Sequence, residues 1–303
     1  MLSLILVLLL LIMLSLFRVS FFSEVHFLST FAHNLCLGHL PNLSQANAEL
    51  SALVCGEDFH LLSQSALYVS SGLIHLFVVS GAHLVVIESF LQQLLSERRQ
   101  FRIYIFLLLY IYGFMCSMNP PICRCLISLT LNDFLLRRNI FWPFGYRVFL
   151  SGILCLTVNP AWIDSLSLQM SWLAAFGVSW AGEHLKHAGP LRQQILFYFA
   201  LLPCLIFLQV PGPSVIAVNL LFAPVLEFVL FPVGISTMIV PISGVIFEKL
   251  IILLREILSL CEFNVMRMSE LSAEHRSAFI WAFILALHWA EYIFNIHVRR
   301  KGN

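Results

Sequence analysis

From Ala66 onward the chain is a succession of apolar stretches, 66–91, 103–118, 121–136, 147–163, 166–182, 194–210, 214–232, 234–247 and 278–296, separated by short polar breaks. Such stretches are long enough to cross bilayer hydrocarbon. In that medium every backbone N–H and C=O must be bonded internally, and a helix achieves this within one segment. The sequence therefore reads as all-α, a polytopic transmembrane helix bundle of about 8 to 10 spans. Hydrophobic residues make up 60% of the chain and charged ones 11%, outside the range of a soluble domain. The formal net charge of +1 offers no global field to an acidic partner, so a nucleic-acid reading has to rest on motifs.

Around Pro232, Pro241 and Gly244 the segment FPVGISTMIVPISGV reads as one broken span or a re-entrant piece. The following stretch, 247–271, repeats apolar residues every three or four positions with Glu248, Lys249, Arg255 and Glu256 between them. That is the pattern of an amphipathic helix lying on the membrane surface or on the bundle. Residues 1–17 read as an N-terminal membrane anchor, because no basic n-region or small-residue cleavage site accompanies the apolar run. Residues 18–65 are mixed and read as a short extracytoplasmic segment, residues 66–296 as one integral domain, and 297–303 as a basic cytoplasmic tail.

Orientation follows the excess of Lys and Arg in cytoplasmic loops. Arg98, Arg99 and Arg102, then Arg137, Arg138 and Arg147, then Lys186 and Arg192 mark loops that alternate with nearly uncharged ones. Both termini are then cytoplasmic, and 18–65 lies outside, with Arg18 against the rule. Cys36 and Cys55 are the cysteines of that outer stretch and are the disulfide candidates. No cysteine spacing matches a metal site, and no P-loop occurs, so neither a metal nor another cofactor is expected.

The segment 72–83, GLIHLFVVSGAH, places His75, Ser80, Gly81 and His83 inside an apolar stretch. Ionisable groups at that depth usually face a cavity, a partner or a pathway. A Ser-Gly pair can break a helix and free backbone groups where the chain lines a cavity. On an unbroken helix His75 and His83 would stand about 80° apart, so they need not share a ligand. The structural alternative is that each histidine bonds a neighbouring helix and only packs the bundle.

GLIHLFVVSGAH closely resembles the signature of the ComEC/Rec2 competence family. NPPICR (119–124), NPAWIDSLSLQMSWLAAFG (159–177) and SVIAVNLLFAPVLEFVLFPVG (214–234) resemble further segments of that family in the same order, so the likeness runs from about residue 60 to 260. Ala82, Cys125 and Trp172 stand where leucine, alanine and phenylalanine are common. The resemblance implies a channel core in the bacterial cytoplasmic (inner) membrane that passes single-stranded DNA inward during natural transformation. It implies an outer DNA receptor, a cytoplasmic ATP-driven motor and a separate nuclease as partners, with the pore formed by one chain or by a homo-oligomer. It implies no enzymatic activity in this chain.

Candidates for the DNA pathway are His75, Ser80, Gly81, His83, Arg124, Gln169, Ser171, Asn219 and Pro224. Arg124 is the phosphate candidate, with a snorkelling interfacial arginine as the alternative. Asn219, Gln169 and Ser171 are equally read as interhelical glue, and Pro224 frees a carbonyl one turn before it. A second class is an intramembrane serine hydrolase built on Ser80 and a histidine. A third is a degenerate structural subunit of a DNA-uptake complex.

Overall fold

The computed structural model describes residues 18–57, 65–73, 77, 80–95, 101–184, 189–207, 210–211, 214–260, 265–266 and 273–301. Among the described residues the fold is all-helical apart from one two-residue antiparallel pairing, β1 (Val210–Pro211) with β2 (Val265–Met266). In chain order the helices are α1 (Arg18–His39), α2 (Asn47–Cys55), α3 (Ser65–Ser70), α4 (Gly81–Leu95), α5 (Arg102–Met115) and α6 (Pro120–Arg137). There follow α7 (Phe144–Val158), a 3-10 turn (Pro160–Asp164), α8 (Leu166–His184), α9 (Pro190–Leu205) and α10 (Ser214–Val225). A π-helical turn (Leu226–Leu230) leads into α11 (Phe231–Ser236), and α12 (Ile242–Ser259) and α13 (Ala273–Lys301) complete the chain.

Local chemistry sets the boundaries. The apolar stretch 66–91 is interrupted where the sequence carries Ser and Gly: α3 stops at Ser70, Gly72 takes φ +72°, and α4 starts at Gly81. Both Asn-Pro pairs start helices, with proline fixed in the first turn where its missing N–H is not needed. The Asn159 side chain caps the 3-10 turn by accepting from the Ala161 amide at 3.1 Å. Asn119 instead donates to the Gly56 carbonyl at 3.2 Å and ties the start of α6 to the end of α2. Pro224 cannot donate to the helical ladder, and the chain takes up the wider π turn directly after it.

The predicted segment 234–247 and the amphipathic stretch after it divide elsewhere than expected. The break falls at Thr237–Pro241, and one continuous helix, α12, runs through Gly244. Gly244 is there for space: a Cβ would meet Leu43 at 3.1 Å and Pro41 at 3.3 Å on the connection between α1 and α2. The predicted anchor at 1–17 lies outside the described residues.

Among the described residues four apolar clusters form: a small one around Cys123, Cys155 and Leu168, one joining α4, α5 and α6 around Leu84, Leu109 and Leu126, and two larger cores. One joins α2, α3 and α10–α12 around Leu50, Leu53, Phe77, Phe231, Phe247 and Ile251. The other joins α7, α8, α9 and α13 around Trp172, Phe176 and Ile284. The stretch from Cys36 to Cys55 is part of the first of these larger cores. Every residue of α2 from Glu49 to Cys55 is buried, a disulfide joins Cys36 to Cys55, and α1 packs along α5 with His33 Nδ1 3.0 Å from the Met115 carbonyl oxygen. The buried Glu49 carboxylate is paired with Arg255 of α12 and accepts from the Tyr68 hydroxyl at 3.1 Å.

Among the described residues two helical segments are long and apolar enough to cross a membrane by length and composition, Val215–Ser236 and His275–Asn295. Large apolar side chains also point outward, among them Phe31, Ile103, Leu107, Phe228, Ile246 and Trp289. Exposed apolar surface on this scale marks a face made for a partner or for lipid.

Candidate functional site

Ser80 and His83 form a closed local unit at the start of α4. The Ser80 amide donates to His83 Nδ1 at 3.0 Å, the Ser80 hydroxyl stands 3.3 Å from the same nitrogen, and it accepts from the Ala82 amide at 3.2 Å. A backbone N–H can only donate, so Nδ1 is unprotonated and the neutral ring carries its proton on Nε2. The ring is fully buried and lies against Phe231 of α11 with centroids 4.3 Å apart. Its Nε2 is buried without a hydrogen-bond partner among the described residues. A buried donor left unmade is costly, so this nitrogen is poised rather than spent.

Gly81 brings the unit against α6. Its carbonyl accepts from the Cys125 thiol at 3.3 Å, and a Cβ on Gly81 would meet Cys125 Cβ at 3.1 Å and stand 3.8 Å from the Arg124 guanidinium. The missing side chain is what lets the two helices touch here. Arg124 is itself buried, at 6% exposure, and its Nε donates to Ser171 Oγ of α8 at 2.9 Å. Among the described residues no carboxylate pairs with it. The result is a guanidinium held in position by a hydroxyl, beside a glycine turn, with its positive charge uncompensated.

Asn219 of α10 approaches from the other end of the signature segment. Its side-chain nitrogen lies 3.5 Å from where a Cβ on Gly72 would be, and its Oδ1 is buried without a partner among the described residues. Thus Ser80, Gly81, His83, Arg124 and Ser171 form one contiguous set, and Asn219 flanks the same segment. Gln169 does not join them: its Nε2 donates to the Ile163 carbonyl at 3.0 Å and to Ser277 Oγ of α13 at 2.9 Å. Pro224 acts on the backbone through the π turn. His75 lies outside the described residues.

Two participants escaped the sequence reading, Phe231, which covers His83, and Cys125, which bonds the Gly81 carbonyl; so did Ser277, which holds Gln169 away from the set. Cys125 carried a signal, since it stands one position after Arg124 where alanine is common. Phe231 and Ser277 carried none, being an ordinary aromatic and an ordinary hydroxyl in apolar stretches.

No curated protein and no solved structure matches the chain. A family model described as "Competence protein" matches residues 53–298, which take in every member of the contiguous set and Asn219. The chain belongs to the ComEC/Rec2 competence protein family, and its role lies in DNA uptake in competence.

Proposed function

We propose that the protein is an inner-membrane channel that translocates single-stranded DNA into the cytoplasm during natural transformation. In this reading residues 66–296 form a multi-pass bundle of about 8 to 10 spans in the bacterial cytoplasmic membrane, both termini are cytoplasmic, and lipid covers the exposed apolar faces. The observation that carries the reading is Arg124, buried, unpaired with any described carboxylate and fixed by Ser171 beside the Gly81–His83 turn. A buried guanidinium without a counter-ion is unfavourable unless an anion visits it. Phosphate supplies that anion, and the fork geometry of arginine suits it.

Conduction also requires that the polyanion leave, so a path with few fixed charges serves better than a basic one. The His83 Nε2–H offers a neutral donor, and aromatic faces along a path offer base stacking worth about 1–3 kcal/mol each. Because the sequence holds no P-loop, the driving force comes from partners: a cytoplasmic ATP-driven motor inside, a DNA receptor outside, and a separate nuclease that yields the single strand.

The test is uptake of labelled transforming DNA into a DNase-protected state in a deletion strain, in the restored strain and in an Arg124→Gln strain. Loss on deletion, recovery with the wild type and failure of Arg124→Gln at equal protein level is the expected result. Unchanged uptake in the deletion strain would remove the proposal.

The Ser80–His83 contact at 3.3 Å is the one observation favouring a serine hydrolase. Against it, the Ser80 amide already occupies the Nδ1 lone pair that would take the hydroxyl proton, and among the described residues no group orients Nε2. Covalent labelling by a fluorophosphonate that disappears in Ser80→Ala would overturn this judgement.

A further inference from the structure

Helix α13 carries Ser277, Trp281, Ile284, His288, Glu291 and Asn295 at alternating spacings of four and three, which places them on one face. That face meets α7 and α8. The seam so formed contains two ionisable groups inside His275–Asn295, a segment long and apolar enough to cross a membrane. Trp172 Nε1 donates to His288 Nε2 at 2.9 Å, and His288 Nδ1 stands 3.9 Å from Glu291 Oε2. Glu291, at 9% exposure, accepts from the Gly145 amide at the start of α7, and its carboxylate fills the space a Cβ on Gly145 would need.

The indole N–H has no lone pair to offer. His288 Nε2 is therefore the unprotonated nitrogen, and its Nδ1–H faces Glu291. A proton on Nε2 cannot coexist with the Trp172 bond, because two N–H donors would then point at each other. Trp172 is buried with its ring packed directly on Gly152 of α7, so the indole cannot step aside without shifting α8 against its neighbours.

We propose that His288 and Glu291 form an intramembrane proton-binding site whose occupation opens the seam between α8 and α13. A solvent hydronium gives its proton to His288 Nε2, leaving water, and the new N–H bond uses the electron pair that had accepted the indole N–H. The Trp172 hydrogen bond breaks, and Glu291 balances the imidazolium charge. Of the elements packed on α13, α7 carries Tyr146, Arg147 and Cys155, and α8 carries Glu183 and His184. The α9 helix carries Arg192, Tyr198 and Cys204, and the 3-10 turn carries Asp164. Glu183 acts on Glu291 as a second negative charge and also accepts from the Phe144 amide at 3.1 Å. This site shares no residue with the Arg124 set.

The experiment is a pH titration of tryptophan emission of the full chain in lipid nanodiscs. With six tryptophans in the sequence, the Trp172 component is taken as the difference from Trp172→Phe. A reversible acid transition is expected in that component. It is expected to be lost in His288→Gln, whose amide oxygen still accepts the indole N–H but takes up no proton. In Glu291→Gln, which removes the balancing charge, the midpoint is expected to fall by about 1 pH unit. A His288→Gln titration like that of the wild type, an unmoved midpoint in Glu291→Gln, or a wild type without a Trp172 transition would each overturn the proposal.

Discussion

His83 is fully buried and His288 half-buried, and each accepts one hydrogen bond on one ring nitrogen. The donor to His83 is local, the amide of Ser80 three residues earlier, so the bond fixes the shape of a turn and can form before distant helices meet. The donor to His288 is Trp172, 116 residues away on another helix, so the bond exists only when α8 and α13 have packed. The second nitrogens differ as well. That of His83 finds no partner among the described residues, whereas that of His288 faces Glu291. In an apolar bundle, a polar group satisfied across helices holds the fold, and one satisfied within its own turn is left to meet something that arrives.

The largest expected effect separates these roles at His83. In His83→Asn the shorter amide keeps an oxygen near the Nδ1 position to accept from Ser80, but it removes the buried Nε2–H. DNA uptake is expected to fall by about 10- to 100-fold, the equivalent of one lost hydrogen bond at about 1–3 kcal/mol, with protein level and thermal stability unchanged. Equal uptake at equal protein level would mean that Nε2 is only packing. The reverse is expected at the other histidine. Trp172→Phe leaves His288 Nε2 without its donor and is expected to cost about 1–3 kcal/mol of stability, read as a lower unfolding midpoint in detergent. Uptake per folded molecule is expected to be unchanged at neutral pH. A drop in uptake without a drop in stability would erase the contrast.

A smaller change probes the outer part of the same seam. The Ile163 carbonyl accepts from Gln169 Nε2, from Ser277 Oγ at 3.0 Å and from Trp281 Nε1 at 2.7 Å. Replacing Gln169 by Leu keeps the volume and leaves two of those three donors. The expected loss is about 1 kcal/mol in the same unfolding measurement, with little change in uptake. A loss of uptake as large as that of His83→Asn would return Gln169 to the DNA pathway.

The sequence made one of these regions far easier to read than the other. Ser80, Gly81 and His83 lie within four residues, and their interaction is local, so residue type and spacing together carried the helix break and the turn. Gly244 looked like a second break and proved to lie inside a helix, because a glycine can mark a bend or a close approach and spacing does not distinguish them. His288 and Glu291 passed unnoticed in a stretch read only as a span. Their partners, Trp172 and Gly145, are remote in sequence, and no local pattern names the helix a given face will meet. The four-and-three spacing from Ser277 to Asn295 was the available clue, and it gains meaning only once α8 is known to lie opposite. The pairing of Glu49 with Arg255, 206 residues apart, was hidden for the same reason.

A polar contact at the surface sets the baseline against which the contacts of His83 and His288 are judged. Glu248 on α12 accepts from the Gln45 amide at 2.6 Å and from the Ser44 hydroxyl at 2.8 Å, just ahead of α2. The bond from the Gln45 amide, followed by that from the Ser44 hydroxyl, holds its carboxyl below the ordinary carboxylate range. The folded form therefore binds its proton less readily than the unfolded one. Its contribution is complete above the unfolded value of about 4.3 and is lost as pH falls through the folded value. Solvent reaches the group, so the effect is local: proteolysis at 40–46 is expected to rise modestly below about pH 4, with the global unfolding midpoint nearly unchanged. Glu248→Gln is expected to show the raised cleavage at every pH, since the amide accepts these bonds more weakly than a carboxylate does. If instead acid exposure at this point unfolded the whole chain, the link between α2 and α12 would rank with the tertiary bonds of the α8–α13 seam, and burial would not be what separates a fastening contact from a marginal one.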